Sequence, residues 1–153
     1  MHHRALAVEL GGLENSRLDG RAVCAGRHLD DRPAILDAPP GTSCPVIAAV
    51  RGADLVLLVT EPTAFGLHDL TLAVAMARAL ALPVGIVINR AGMGDDRVEA
   101  YCAREGLPVL ARLPHDRRVA EAYARGVLAV DAVPETAAAF HALAAVVTRE
   151  AGR

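Results

Sequence analysis

The stretch AILDAPPGTSCPV, residues 34–46, carries an apolar run, an acid, two prolines and a glycine in close succession. An apolar run that ends at Asp37 and breaks into a Pro-Pro-Gly loop reads as a buried strand opening into a turn. A helix then starts near Pro45, because proline is tolerated in a first helical turn, and ends before Gly52. Outward from there the same rhythm repeats. ALAVEL (5–10), DLVLLVT (54–60), VGIVIN (84–89) and VLARL (109–113) read as strands, with helical patterns between and after them. Helices are expected over about 16–28, interrupted by Gly20 and Gly26, and over 67–80. Others are expected from an Asp95 N-cap to a stop at Gly106, over HDRRVAEAYARG to Gly126, and from Pro134 onward. Strands that are apolar throughout, each separated by a helix, indicate a parallel sheet covered on both faces. The fold class is α/β, a three-layer αβα arrangement around a doubly wound, mostly parallel sheet. One domain is expected over 1–153, with a strand and loop over 1–15, βα repeats over 16–130 and a C-terminal helix over 131–153.

Composition narrows the function classes. A chain of 153 residues is long enough for one real core, and 53% hydrophobic with only 3% aromatic residues means a core of Ala, Val, Leu and Ile. A formal net charge of -2 gives no basic face for nucleic acid or for an anionic membrane surface. The apolar stretches fall short of a bilayer span and the start MHHRALAVEL has no signal-peptide core, so a cytoplasmic protein is expected. Cys24, Cys44 and Cys102 form neither a disulfide framework nor a CxxC site, and His2 and His3 sit at the terminus. There is no lysine: all 16 basic residues are arginine, which excludes Schiff-base chemistry and the compact ammonium of a phosphate loop. The helix over 67–80 is apolar nearly all round, with Leu70, Val74 and Ala77 on one face and Leu72, Met76 and Leu80 on another. It is therefore expected to be buried or shared with another subunit. In the last helix Phe140, Leu143 and Val147 share one face.

Ligands of such sheets sit beyond the carboxyl ends of the strands, so the strand exits are the candidate sites. They are Asp37 through Pro39, Pro40, Gly41 and Thr42; Thr60 to Thr63; Asn89, Arg90, Ala91 and Gly92; and Pro114, His115 and Asp116. Asp37 suits a hydrated magnesium ion, a hard cation that takes oxygen ligands and keeps several waters. Gly41 can bring a backbone N–H close to a terminal phosphate, and the Asn89 amide can read a purine edge.

These residues carry a family resemblance. AILDAPPGTSCPVIAAVRGADLVLLVTEPTAFGLHDL, followed by PVGIVINRAGMGDDRVEAYCAREGLPVLARLPHDRRVAEAYARG, resembles the carboxyl-terminal half of the MinD/ParA-type P-loop ATPases. It is most similar to the MinD-superfamily branch with an inserted ferredoxin domain, and Glu14, Asn15 and Ser16 match a segment after that insert. The resemblance implies that Asp37 is the Walker B acid beside magnesium. It also implies that Pro39 to Thr42 form the switch loop sensing the terminal phosphate, and that Asn89, Arg90 and the loop Pro114 to Asp116 surround adenine. ATP or ADP with magnesium are the implied cofactors. The family's KGGxGKT loop with its lysines and the ferredoxin cysteines are absent from these 153 residues, so no iron–sulfur cluster is expected on this chain. GGLENS (11–16) and GMGDD (92–96) read as turns, since their carboxylates would repel a phosphate.

In that family the strand before the phosphate loop lies between the counterparts of AILDA and DLVLLVT. Its absence predicts either a rearranged, closed sheet or a strand supplied by a homo-oligomer or another protein, since an open slot leaves backbone groups unpaired. Three readings follow. The chain is a truncated or split nucleotide-binding half that does not hydrolyse ATP alone; a non-catalytic protein-interaction module that kept the fold; or an enzyme of another kind using Asp37, Glu61, His68, His115 or Asp116.

Overall fold

The computed structural model describes residues 5–10, 34–38 and 41–150. Pro39, Pro40, the GGLENS turn, the expected helix over 16–28, Cys24 and the terminal histidines lie outside them. The strands are β1 (Ala5–Leu10), β2 (Ala34–Ala38), β3 (Leu55–Thr60), β4 (Val84–Ala91) and β5 (Val109–Pro114). The helices are α1 (Cys44–Val50), α2 (Ala64–Ala79), α3 (Arg97–Glu105), α4 (Arg117–Ala124), α5 (Ala129–Ala132) and α6 (Pro134–Glu150).

The sheet order is β2-β1-β3-β4-β5, and every pairing is parallel. The place between AILDA and DLVLLV is therefore filled by ALAVEL of this same chain. Leu6 pairs with Ile35 on one side and Leu55 on the other, and Val8 with Asp37 and Leu57. The expectation that a partner supplies a strand there is corrected, and the alternative of a sheet closed by the chain itself holds. The physical reason is that β1 satisfies backbone donors and acceptors on both flanking strands, which an open slot would leave unpaired.

Side-chain alternation sorts the core into two layers. Val56 and Leu58 of β3, with Ile86 and Ile88 of β4, pack under α1, α2 and α3 against Val46, Val50, Val74 and Val98. Leu55, Leu57 and Val87 point to the opposite face, where Leu143 and Val147 of α6 cover them. The layer order expected from the apolar strands is thus present. Phe140, on the helical face it shares with Leu143 and Val147, is 42% exposed.

α2 starts earlier than its apolar pattern suggests, because Thr63 caps it: the Thr63 hydroxyl accepts from the Gly66 N–H at 3.0 Å. One face of α2 is buried through Leu70, Ala73, Val74 and Ala77, while Phe65 and Leu72 lie exposed on the other. Gly106 ends α3 in the left-handed region, as expected, with φ 65°. The N-cap of α3 is Asp96 rather than Asp95, yet the Asp95 carboxylate accepts from the Arg97 N–H at 3.1 Å and performs the capping. The short α5 has no apolar period of its own to mark it in the sequence. Among the described residues no helix is long and apolar enough to cross a membrane.

Candidate functional site

Because all five strands are parallel, their carboxyl ends lie along one edge, and the exits singled out in the sequence share it. Asp37 is the penultimate residue of β2 and is exposed. Its carboxylate has no hydrogen-bond or ion-pair partner among the described residues. The neighbouring Ala38 is buried at 4% exposure and packs in the α1 layer, which turns Asp37 to the other side of the strand. Gly41 holds φ +99°, a left-handed conformation that favours glycine, and a Cβ there would meet nothing within 4 Å. Thr42 is exposed beside it, and Ser43 and Pro45 open α1.

At β3 and β4 the edge is tied together. Thr60, buried at 5% exposure, donates to the Gly66 carbonyl at 2.9 Å and so holds the first turn of α2 on the strand end. A Cβ on Gly66 would lie 2.2 Å from the Glu61 carbonyl oxygen, and one on Gly94 would lie 1.5 Å from that of Pro62. Only glycine allows these loops to approach so closely. The GMGDD stretch is indeed a turn, and it packs its glycine on the β3 exit. Arg90, at φ 52°, reaches across to Glu61 with guanidinium–carboxylate distances of 3.4 Å. Asn89 is half-buried in β4, and its amide has no partner among the described residues.

The β5 exit joins β4 through the pairing of Ala91 with Pro114 and a His115 N–H donated to the Ala91 carbonyl at 3.3 Å. Asp116 caps α4 by accepting from the Arg118 N–H at 2.8 Å, and it also binds the Arg118 guanidinium at 2.6 Å. That contact holds the Asp116 carboxyl below its ordinary value. Asp116 is thus engaged in shaping its loop, and Arg90 in joining two loops. Of Asp37, Glu61 and Asp116, Asp37 is the one without a charged partner among the described residues. Three strand steps separate the β2 exit from the β4 exit, about 14 Å of sheet edge. Among the described residues no three His, Cys, Asp or Glu side chains converge to hold a metal.

Neither the Glu61–Arg90 link nor the packing roles of Gly66 and Gly94 is legible in the sequence. The first had no local signal, since 29 residues separate the partners. The spacing of Thr63 to Gly66 offered one clue, as a threonine cap three residues before a glycine.

The chain is a parallel three-layer α/β fold with acid, glycine and amide at its carboxyl edge, the edge at which ligands of such sheets generally sit. No family model matches the sequence. The cell division ATPase MinD of Pyrococcus furiosus superposes with a TM-score of 0.64 and 30% identity, covering 76% of this chain and 52% of that one. MinD of Pyrococcus horikoshii, solved with Mg-ADP, gives 0.62 and 30%, over 80% and 52%. An iron–sulfur cluster carrier protein of Aquifex aeolicus is 30% identical over 132 residues, 75% of this chain and 36% of that protein. An uncharacterized protein of Methanocaldococcus jannaschii is 36% identical over 92 residues, 60% and 31% respectively. The chain is related to the MinD/ParA-type P-loop ATPases and shares their P-loop NTPase-like fold. It spans about half the length of these solved relatives and about a third of these curated ones.

Proposed function

We propose that the chain is a MinD/ParA-like nucleotide-binding half that works in the cytoplasm and does not hydrolyse ATP alone. The observation that carries this is Asp37: a solvent-facing carboxylate without a partner among the described residues, at a strand exit followed by Gly41 at φ +99°, where an added Cβ would meet nothing within 4 Å. A lone carboxylate with room for water fits magnesium, which binds through few protein groups and keeps its hydration. Asp37 would hold the ion through water, and the ion would neutralise phosphate charge. Gly41 and Thr42, with Pro39 and Pro40, would face the terminal phosphate, and the unpartnered Asn89 amide would read the base. Arg90, Pro114, His115 and Asp116 would frame the base pocket, Arg90 and Asp116 through the loop contacts already described. No lysine is available to bridge the phosphates, hence no turnover by the isolated chain.

The test is calorimetric titration with ATP and magnesium, repeated on Asp37→Ala. Magnesium-dependent binding that the substitution weakens, without phosphate release, is the expected result. Binding indifferent to Asp37, or turnover that Asp37→Ala abolishes, overturns the reading.

A second reading, a non-catalytic interaction module or homo-oligomer, is favoured by the open side of α2, where Phe65 is 83% and Leu72 47% exposed. It predicts no nucleotide binding and a sedimentation coefficient that falls on Leu72→Asp.

A further inference from the structure

A cavity of about 260 Å³ lies at the end of β3, walled by that strand, its exit and the N-terminal half of α2. None of the residues assigned above to nucleotide or magnesium lines it. Leu58, Leu70 and Ala73 give it an apolar floor, each buried to 5% exposure or less. Phe65 stands at the rim, 83% exposed, and Asp69 follows four residues later on the same helix face.

The polar groups around the cavity differ in what they have left to offer. The Thr60 hydroxyl is engaged with the Gly66 carbonyl, and the Thr63 hydroxyl with the Gly66 N–H. Glu61 is held by Arg90. The Asp69 carboxylate has no partner among the described residues. What remains for a ligand is one free anion beside an aromatic face, over an apolar floor. That combination suits a cationic head on an apolar stem: the carboxylate and ring attract the charge and the floor takes the methylenes.

We propose that this cavity receives the lysine or arginine side chain of a second polypeptide. The exposure of Phe65 decides the source. A free diamine would meet the floor, the carboxylate and the near part of the ring yet leave the rest of the ring in water, whereas the backbone flanking a partner's side chain would cover it. A lysine would come from outside these 153 residues, which contain none. The inference is independent of the nucleotide reading, because neither Phe65 nor Asp69 serves there.

The test follows backbone amide shifts of the 15N-labelled full chain, without nucleotide. The probe is the capped tripeptide acetyl-Ala-Lys-Ala-amide, with the norleucine tripeptide and 1,4-diaminobutane as comparison arms. Shifts centred on Gly66, Asp69 and Ala73 at millimolar lysine peptide are expected. Asp69→Asn should weaken them about fivefold, the scale of one exposed ion pair, and Phe65→Ala about twofold. Both side chains are exposed, so the fold tolerates the changes, and an unchanged urea midpoint checks this. The proposal is overturned if no shifts occur, if the norleucine peptide shifts the same amides equally, if Asp69→Asn has no effect, or if diaminobutane binds more tightly than the lysine peptide.

Discussion

The two ends of the carboxyl edge are built on different plans. At β3, β4 and β5 the exits hold one another: Thr60 to Gly66, Glu61 to Arg90, Gly94 against Pro62 and Asp116 on Arg118. At β2 the exit carries Asp37, without a partner among the described residues, and a glycine whose Cβ would meet nothing within 4 Å. The difference teaches where to look for chemistry. Polar groups that satisfy one another fix loop geometry, and polar groups left unsatisfied at an exposed edge are those free to meet a ligand.

Substitutions can break or sharpen that contrast. The largest effect is expected beneath both ends: Ile86→Ala, at a fully buried site, should lower unfolding free energy by about 2–5 kcal/mol in urea titrations. A loss well under 1 kcal/mol would show a core looser than the packing described. Next comes Gly94→Ala, which drives a methyl into the Pro62 carbonyl and should cost about 1–3 kcal/mol. Gly41→Ala meets no atom, so only its left-handed backbone is penalised, about 1 kcal/mol. If the two glycines cost the same, the distinction between a tied and an open end is lost.

Thiol mapping tests the same contrast chemically. Cys44 is exposed at the start of α1, on the open side. Cys102 is buried in α3, and burial first, then the Glu99 charge, pushes its thiol up. Since the thiolate is the nucleophile, iodoacetamide should label Cys44 within the time in which Cys102 stays intact, as read by mass spectrometry of tryptic peptides. Equal labelling would contradict the packing of α3.

The smallest effect concerns pH. Hydrogen bonds from Arg78 and Arg104 hold the Glu105 carboxyl below its ordinary value. The unfolded chain therefore binds the proton more readily, so this contribution is present above the unfolded value and is lost as pH falls through the folded one. The urea midpoint should drop from about pH 5 downward, and Glu105→Gln should flatten that slope slightly. An unchanged slope would remove Glu105 from the acid response.

Much of this was legible in the sequence because it is local. Apolar runs between helical periods set the strands, and Pro45, Gly106 and Gly126 mark helix ends within a residue or two of their place, whereas the start of α2 at Thr63 lies ahead of its apolar pattern. The exits followed from the strands. The contacts between exits were not legible, since Glu61 and Arg90 meet only once β3 and β4 pair.

By itself the sequence determined the class of fold, the succession of elements and which residues stand at strand ends, all consequences of periodicity and turn chemistry within short windows. Only the tertiary structure decided that ALAVEL lies between AILDA and DLVLLV, that α2 buries one face and leaves Phe65 and Asp69 at a cavity, and that among the described residues Asp37 stays unpaired while Asp116 does not. Strand order depends on which distant backbone edges would otherwise go unpaired, and a side chain's freedom on which neighbours the closed sheet brings to it. Both are properties of the assembled chain, to which no local window has access.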